Sequence, residues 1–474
     1  MLFRLIYDDD LAQASYLVGC QRTGEAIVFD PERDIDRYLD LAAAQGLRIV
    51  AAAETHIHAD FLSGVREFAV RGNAKAYVSG EGGADWQSEW VDGCDHRVLR
   101  DGDTFEVGNI RFTAVHSPGH TPEHLSYLVT DLGGGADTPM GVITGDFVFV
   151  GDLGRPDLLE SAAGIEGMME PSARTLAASA QGFLRFDDHL QVWPAHGSGS
   201  ACGKALGAVP QSTVGYERRF NHALSLAGDE QAFVDHILAG QPEPPAYFAR
   251  MKAWNRDGVP LLESLPTPET ADAADLASRL DGVRVVDVRD WSTFREGHLP
   301  GSIWTKLGIN FLMTVGSYVE PGERIGLVAP AAEFDRLVRD LVRIGLDDVA
   351  WVATPETLEA YRKAGGGLES APEIDADAFR GLLEGSTPPR VLDVRRVVEW
   401  DDGHLEDAVN VAHTRLIPRL AEVPAGETLY VHCAGGVRSA MAVSELRRRG
   451  IDAVNVAGGW AAMRKAGCGG VACG

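Results

Sequence analysis

The segment Thr55-His56-Ile57-His58-Ala59-Asp60-Phe61 places three potential metal ligands within five residues. It follows a largely apolar run from Leu47 to Ala53, so His56, His58 and Asp60 stand where a strand is predicted to end. Imidazole and carboxylate groups are the ligands that zinc and iron use in proteins. A single His-x-His pair is weak support, because most histidines bind nothing. The segment therefore predicts a metal site only if further ligands converge on it.

Further ligand candidates follow in three short segments, each at the end of an apolar run and beside a glycine or another small residue. The segments are His116-Ser117-Pro118-Gly119-His120-Thr121, Ile143-Thr144-Gly145-Asp146 and Pro194-Ala195-His196-Gly197. Loops at a sheet edge direct side chains into a shared pocket in this way. The set favours a metal site over isolated structural histidines. His116 and His124 lie off the motif positions and are expected to be structural.

A second reactive pattern lies near the end of the chain, where Cys433 follows the β-type run Leu429–His432. Four residues separate this cysteine from Arg438, and a helical pattern begins at Ser439. Backbone N–H groups that converge at a glycine-rich loop and a helix N-terminus favour a thiolate and bind anions. Cys433 is therefore a predicted sulfur nucleophile, with Arg438 as a fixed positive charge. We call Ala434, Gly435, Gly436 and Val437 the sulfur-binding loop, because they follow the sulfur of the predicted thiolate.

The elements that must position these residues can be read from the hydrophobic pattern. Short alternating segments predict strands at 3–7, 14–18 and 25–29, and an amphipathic pattern predicts a helix at 34–44 before the strand that leads to His56. Further strands are predicted at 75–78, 110–115, 125–129 and 140–144. Proline clusters at 242–245 and 265–268 end this mixed α/β unit near residue 265.

The rest of the chain contains an internal repeat with an offset of 106 residues. Val285–Arg289 with Gly297-His298-Leu299 matches Val391–Arg395 with Gly403-His404-Leu405. Each copy predicts a small α/β domain, and the two copies join near residues 365–367. In the first copy Ala329 falls at the position of the cysteine. This copy is expected to be structural or an interface element.

Composition limits the classes of partner. The 474 residues are 45% hydrophobic and 24% charged, as in ordinary multidomain globular proteins, and the formal net charge is −26. That charge argues against binding to nucleic acid or an anionic membrane. Neither a signal peptide nor a membrane helix is recognisable, so a cytoplasmic location is expected.

The six cysteines are scattered along the chain, which favours reactive thiols over disulfides. The tail that contains Cys468 and Cys473 is predicted to be disordered.

The metal-ligand segments resemble the metallo-β-lactamase superfamily, and more narrowly its glyoxalase II and persulfide dioxygenase branch, over about the first half of the chain. The Asp-Val-Arg, Gly-His-Leu and Cys-x-x-Gly-x-Arg elements resemble rhodanese sulfurtransferases; phosphatase loops place five residues between Cys and Arg, whereas this loop has four. The resemblance implies an α/β chain with an αββα metallo-β-lactamase sandwich over 1–264. A degenerate rhodanese-like domain over 265–369 and a rhodanese domain over 370–474 would follow.

By resemblance to persulfide dioxygenases, His56, His120 and Asp146 are expected to bind one Fe(II) per chain, with zinc as the alternative. Glyoxalase II continues the first motif with a histidine that serves a second metal. Phe61 occupies that position here, which disfavours a two-metal thioesterase. Residues expected to orient ligands or hold pocket water, with a buried structural role as the alternative, are His58, Asp60 and His196.

Three other side chains are candidates for the substrate pocket, each with a structural alternative. Arg155, in a Gly-Arg-Pro-Asp sequence like that of the same dioxygenases, could pair with a substrate carboxylate or with Asp157. Cys202 could meet a persulfide sulfur with its pKa lowered by Lys204, or could be a small buried thiol. Arg218 could hold the carboxylates of a thiol carrier or lie on a solvated helix face.

The combined pattern predicts a persulfide dioxygenase fused to a sulfurtransferase. The metal site would oxidise a low-molecular-weight thiol persulfide, carried by glutathione, coenzyme A or a similar thiol, with O2 to sulfite. Cys433 would carry sulfane sulfur, so that thiosulfate is formed or used. The alternatives are a glyoxalase II-like zinc thioesterase and a non-enzymatic sulfur carrier or sensor. The sequence does not decide whether the chain forms a homo-oligomer. Neither nucleic acid nor a membrane is an expected partner.

Overall fold

The computed structural model describes residues 1–162, 164 and 166–469, and the chain divides into two compact units, Met1–Ser264 and Leu265–Gly474. Within the described residues, no helix combines the length and apolar character needed to cross a membrane.

The first unit is built on two facing sheets. One has the strand order β1-β2-β3-β4-β5-β6, antiparallel from β1 to β3 and parallel from β3 to β6: β1 Leu2–Asp8, β2 Gln13–Cys20, β3 Glu25–Phe29, β4 Arg48–Ala53, β5 Lys75–Ser79 and β6 His96–Leu99. The other has the order β12-β11-β10-β9-β8-β7: β7 Thr104–Val107, β8 Ile110–His116, β9 Leu125–Asp131, β10 Gly141–Gly145, β11 Gln191–Pro194 and β12 Ser212–Thr213. The strands predicted from alternation are present.

Helices cover the outer faces of both sheets. The α-helices described in this unit are α1 Asp36–Ala44, α2 Val65–Val70, α3 Leu158–Ser161, α4 Met169–Phe183, α5 Val214–Phe220, α6 His222–Ser225, α7 Glu230–Leu238 and α8 Phe248–Asp257. The apolar side chains form three layers. One lies between the sheets and includes Phe29 and Phe112; Tyr38 and Phe68 join α1 and α2 to the first sheet; Leu176 joins α4 to the second. The predicted αββα sandwich is confirmed.

The second unit contains two parallel sheets with the same strand order, β13-β17-β16-β14-β15 and β18-β22-β21-β19-β20. The first half consists of β13 Glu269–Thr270, β14 Val283–Asp287, α9 Trp291–Glu296, β15 Ile303–Trp304, α10 Ile309–Tyr318, β16 Arg324–Val328, α11 Phe334–Arg343, β17 Val349–Ala353 and α12 Pro355–Lys363. The second half consists of β18 Glu373–Ile374, α13 Ala376–Leu383, β19 Arg390–Asp393, α14 Val397–Asp401, β20 Val409–Asn410, β21 Leu429–His432, α15 Val437–Arg448, β22 Ala453–Val456 and α16 Gly459–Ala466.

The Asp-Val-Arg repeat has one structural role in both halves. Arg289 forms an ion pair with Asp287 at 2.6 Å, and Arg395 forms the matching pair with Asp393 at 2.5 Å. Each arginine also donates to the carbonyl of the glycine in its Gly-His-Leu segment, at 2.9 and 2.8 Å respectively. The repeated sequence thus has a structural role, since it fixes the turns that follow β14 and β19.

The C-terminal tail departs from the prediction of disorder at Cys468. This side chain is 7% exposed and packs in the apolar cluster of the second half with Phe379 and Met463. The prediction is wrong for Cys468 because burial of the thiol anchors the end of α16 against α13. Cys473 lies outside the described residues.

Candidate functional site

The loops after β4, β8, β10 and β11 bring the predicted ligands together at one edge of the first unit. His56, His120 and Asp146 each offer a ligand atom within 4.8 Å of the others, and we call them the candidate metal group. The Asp146 Oδ2 atom lies 3.5 Å from His120 Nε2 and 3.9 Å from His56 Nε2. All three side chains are buried. Separate strands thus deliver a compact donor set.

Hydrogen bonds on the far side of each ring direct Nε2 toward the centre. The His56 Nδ1 atom lies 2.9 Å from Thr55 Oγ1, and Thr55 in turn donates to the carboxylate of Asp30 from its amide and its hydroxyl. His120 donates from Nδ1 to the Arg155 carbonyl at 2.9 Å. Burial lowers the pKa of both imidazoles, most strongly for His56. Neutral, oriented rings of this kind are what metal ligation requires.

The carboxylates at the centre test whether a metal fits. Asp146 and Asp60 are 0% and 4% exposed, and no hydrogen bond from any described residue reaches their oxygens. A buried carboxylate that accepts no hydrogen bond is costly, and a bound cation removes that cost. Two imidazoles and one carboxylate are a donor set that suits a divalent transition metal with open coordination positions. The candidate metal group fits such an ion.

A second set of donors lies beside the first. Asp60, His196 and Cys202 each place a donor atom within 4.8 Å of the other two. The His196 Nε2 atom is 3.2 Å from Asp60 Oδ2 and 3.4 Å from Asp146 Oδ1, while its Nδ1 donates to the Ala12 carbonyl. Asp146 therefore faces the two histidines of the candidate metal group with one oxygen and His196 with the other. The predicted pocket residues Asp60 and His196 are both at the site.

Cys202 reaches the site but not in the predicted chemical state. Burial, together with the nearby carboxylates of Asp60 and Asp146, raises the pKa of its thiol well above the ordinary value. Lys204 donates instead to the carbonyls of His236 and Ala239. The prediction that Lys204 lowers the Cys202 pKa is wrong, because tertiary packing turns the lysine away from the thiol.

His58 lies beside the candidate metal group, with its ring centroid 4.2 Å from that of His56, but its Nε2 is directed to Asp30. Its Nε2 lies 3.2 Å from Asp30 Oδ1, and its ring packs on Phe61 with the centroids 4.3 Å apart. Burial lowers the pKa of His58, but Asp30 outweighs this effect and raises it to about 9. The ring is therefore charged at neutral pH and pairs with Asp30 under the ligand loop.

His124 contacts the site through the backbone. Its Nε2 accepts a hydrogen bond from the Asp146 amide at 3.2 Å, and its Nδ1 lies 2.8 Å from Ser117 Oγ. Burial lowers its pKa well below the ordinary value, so the ring is neutral and can accept. The sequence indicated only a structural histidine here, since nothing local reveals that the ring supports Asp146.

The two predicted substrate arginines are engaged with protein groups. Arg155 is 1% exposed and forms a two-point ion pair with Asp157 at 2.8 and 2.6 Å, which is the structural alternative for this residue. Arg218 pairs with Asp188 and donates to the carbonyls of Leu184 and Phe186. The structure does not bring Arg218 to the candidate metal group, because α5 directs this side chain toward the end of α4.

In the second unit, Cys433 sits at the start of a loop formed as predicted between β21 and α15. Its Sγ accepts from the Gly436 amide at 3.1 Å and from Ser439 Oγ at 3.5 Å. Gly436 has a φ of +95°, which turns its amide toward the sulfur and favours glycine. The amides of Trp460 and Ala461 at the start of α16 donate to the carbonyls of Cys433 and Ala434. Val437 begins α15, and Gly435 completes the loop.

Arg438 has a partner that the sequence did not reveal. Its guanidinium contacts the carboxylate of Glu399 at 2.5 and 2.7 Å. Arg438 was predicted as a fixed positive charge, and the structure adds that Glu399 on α14 offsets part of this charge. In the other half, Ala329 follows β16 where Cys433 follows β21, so that half has no thiol at the matching position.

Comparisons with known proteins agree with this geometry. Residues 8–196 match the Metallo-beta-lactamase superfamily, and residues 375–466 match the Rhodanese-like domain. A crystal structure of a metallo-beta-lactamase from Staphylococcus aureus subsp. aureus COL is 40% identical, with a TM-score of 0.68, and the match covers 75% of this chain and 99% of that one. The persulfide dioxygenase ETHE1 of Bos taurus is 26% identical over 48% of this chain and 78% of its own length. A beta-lactamase hydrolase-like protein of Xylella fastidiosa is 27% identical over 48% of this chain and 53% of its own length.

Proposed function

The chain belongs to the metallo-beta-lactamase superfamily and carries a rhodanese-like domain near its C-terminus, and on that premise we propose that it oxidises a thiol persulfide and transfers sulfur. The first unit acts as a persulfide dioxygenase that uses one Fe(II) per chain. The second acts as a sulfurtransferase through Cys433. The observation that carries the proposal is a two-histidine, one-carboxylate group beside Phe61, in one chain with a cysteine in a sulfur-binding loop.

The donor set is the reason for choosing oxygen chemistry over hydrolysis. His56, His120 and Asp146 would hold the metal, which when ferrous supplies the electrons and open positions that O2 chemistry needs. Phe61 packs on His58 and offers no ligand where a second-metal histidine would be needed. Asp60, His196 and Cys202 form the polar wall of the same pocket, where the terminal sulfur of a persulfide would lie. The relative named as a persulfide dioxygenase supports this choice.

The overall reaction balances without a further oxidant. R-S-SH, O2 and H2O give R-SH and sulfurous acid; the S–S bond breaks and the terminal sulfur is oxidised by both oxygen atoms. In the second unit, Cys433 accepts a sulfane sulfur as a persulfide, and the Gly436 amide and Ser439 hydroxyl lie in position to stabilise it. Transfer of that sulfur to sulfite releases thiosulfate and regenerates the thiolate. The reverse direction uses the same residues.

Oxygen uptake by iron-loaded protein tests the proposal. Glutathione persulfide, coenzyme A persulfide and inorganic polysulfide would be compared, with sulfite and thiosulfate measured as products. We expect oxygen uptake with at least one thiol persulfide and a metal content of about one iron per chain. Zinc as the functional metal, with hydrolysis of thioesters and no oxygen uptake, would replace the proposal by a thioesterase. Sulfur loading of Cys433 without any turnover would replace it by a sulfur carrier.

A further inference from the structure

Helix α8 contributes a buried side chain to the loop that carries the metal ligands, although it lies beyond residues 8–196, which contain the ligand motifs. Asn255 is 7% exposed. Its Nδ2 donates to the carbonyls of His58 and Phe61, both at 2.8 Å, and its Oδ1 accepts from the Ser63 amide at 2.9 Å. Both hydrogens of the amide and its oxygen are thus used on one loop.

The three loop residues that bond to Asn255 flank Asp60 in the sequence. His58 precedes it, and Phe61 and Ser63 follow it, so one side chain fixes the backbone on both sides of this carboxylate. The Asp60 oxygens receive no hydrogen bond from the described residues. His196 Nε2 lies 3.2 Å from Asp60 Oδ2, so the position of this carboxylate depends on that contact and on the backbone of the loop, which Asn255 holds. The same loop continues directly from His56.

The segment that holds Asn255 is itself firmly attached to the first unit. Met251, one helical turn before Asn255, is fully buried, so the same face of α8 packs inward. Beyond the helix, Arg33 donates to the Pro260 carbonyl at 2.6 Å, and the Leu262 amide donates to Glu67 at 2.5 Å. The segment is anchored on both sides of Asn255, which allows it to hold the loop rather than follow it.

We propose that Asn255 is a positioning residue for the metal site: it holds the 58–63 loop so that His56 and Asp60 keep their places beside Asp146. The inference rests on the metal site of the proposed function, and it adds a residue that belongs to none of the ligand motifs. An amide is suited to this role because two donors and one acceptor match two carbonyls and one amide of the loop.

The test is cobalt binding to the metal-free full-length protein, read by the visible ligand-field absorption of Co(II) and by its release to a chelator. Asn255→Ala removes all three bonds, and Asn255→Asp keeps the acceptor while losing both donors. Each should change the absorption spectrum and weaken Co(II) binding about 10- to 100-fold, the range seen in metal affinity when groups that orient ligands are removed. The weaker binding should be visible as faster release of Co(II) to the chelator. Asn255→Asp carries the test if the alanine variant does not fold.

Leu224→Ala is the matched control, because Leu224 lies in the outer core of the same unit and its loss destabilises without touching the loop. It should lower the melting temperature and leave the cobalt spectrum as in the wild type. A wild-type spectrum and release rate in Asn255→Asp, or an equal change in Leu224→Ala, would overturn the inference. Asp146→Ala, measured in parallel, separates failure of the Asn255 inference from failure of the metal-site assignment. If this variant retains the wild-type spectrum, the metal-site assignment itself fails.

Discussion

Glu399 lies across the guanidinium of Arg438, with contacts of 2.5 and 2.7 Å, and so shields the arginine that directly follows the sulfur-binding loop. Removing the negative charge should leave Arg438 free to attract an anionic sulfur donor. We expect Glu399→Gln to lower the KM for thiosulfate roughly 3- to 10-fold, with a stronger dependence on salt. Thiosulfate:cyanide kinetics at two ionic strengths measure this. Glu422→Gln, which breaks the exposed pair with Arg419, should leave the KM unchanged. A raised KM in Glu399→Gln would mean that the pair orients Arg438 productively.

The same pair makes stability depend on pH. Burial raises the pKa of Glu399, but the hydrogen bonds and charge of Arg438 outweigh it and hold the pKa below the ordinary value. A carboxyl with a depressed pKa stabilises the fold above its unfolded-state pKa of about 4.3, and this stabilisation is lost as the pH falls through the folded-state value. The difference in unfolding free energy between wild type and Glu399→Gln should therefore shrink from neutral to acid pH. Urea unfolding across that range checks it, and a pH-independent difference would contradict it.

His120→Ala and Asp146→Ala should each remove iron and oxygen uptake, because each takes one donor from the candidate metal group. Sulfur transfer through Cys433 should persist, since it resides in the other compact unit. Metal analysis, an oxygen electrode and the thiosulfate:cyanide assay give the three readouts. His116→Ala is the control, because the His116 ring bonds to the Pro122 carbonyl and not to the candidate metal group. This variant should keep the wild-type iron content. Wild-type iron content in both ligand variants would refute the assignment.

Cys433→Ser should abolish thiosulfate:cyanide transfer, because Ala329 gives the other half no substitute thiol. It should also shift the product of persulfide oxidation from thiosulfate toward sulfite without stopping oxygen uptake. Ion chromatography of the products measures the shift. Cys468→Ser, which changes a buried thiol of the same half, should keep transfer intact. Enzymatic thiosulfate formation by Cys433→Ser at the wild-type rate would mean that the two sites are not coupled.

Phe61→His should not by itself create a thioesterase. The added imidazole restores a ligand type, yet the loop still packs this position against His58, and the pocket remains unchanged. Assays with glutathione thioesters on zinc- and iron-loaded protein check this. Efficient thioester hydrolysis by the wild type would show that Phe61 does not exclude that chemistry.

Much of the fold and of the donor set was predictable from the sequence because it depends on local pattern. Alternation marked β1 to β3, and small residues after apolar runs marked where His56, His120 and Asp146 leave the sheets. The 106-residue repeat gave two halves of equal strand order, and Ala329 identified the half without a thiol. Spacing alone identified the loop between Cys433 and Arg438.

Tertiary structure decided the partners of these residues, because the deciding contacts join positions far apart in the chain. Asn255 reaches His58 across 197 residues, and Glu399 reaches Arg438 across 39. Packing turned Lys204 away from Cys202 and raised the pKa of that thiol instead of lowering it. Hydrophobic periodicity reports which face of an element is buried, but not which side chain of another element meets it. The ligand types were therefore set by the sequence, whereas their orientation, charge and support were set by the fold.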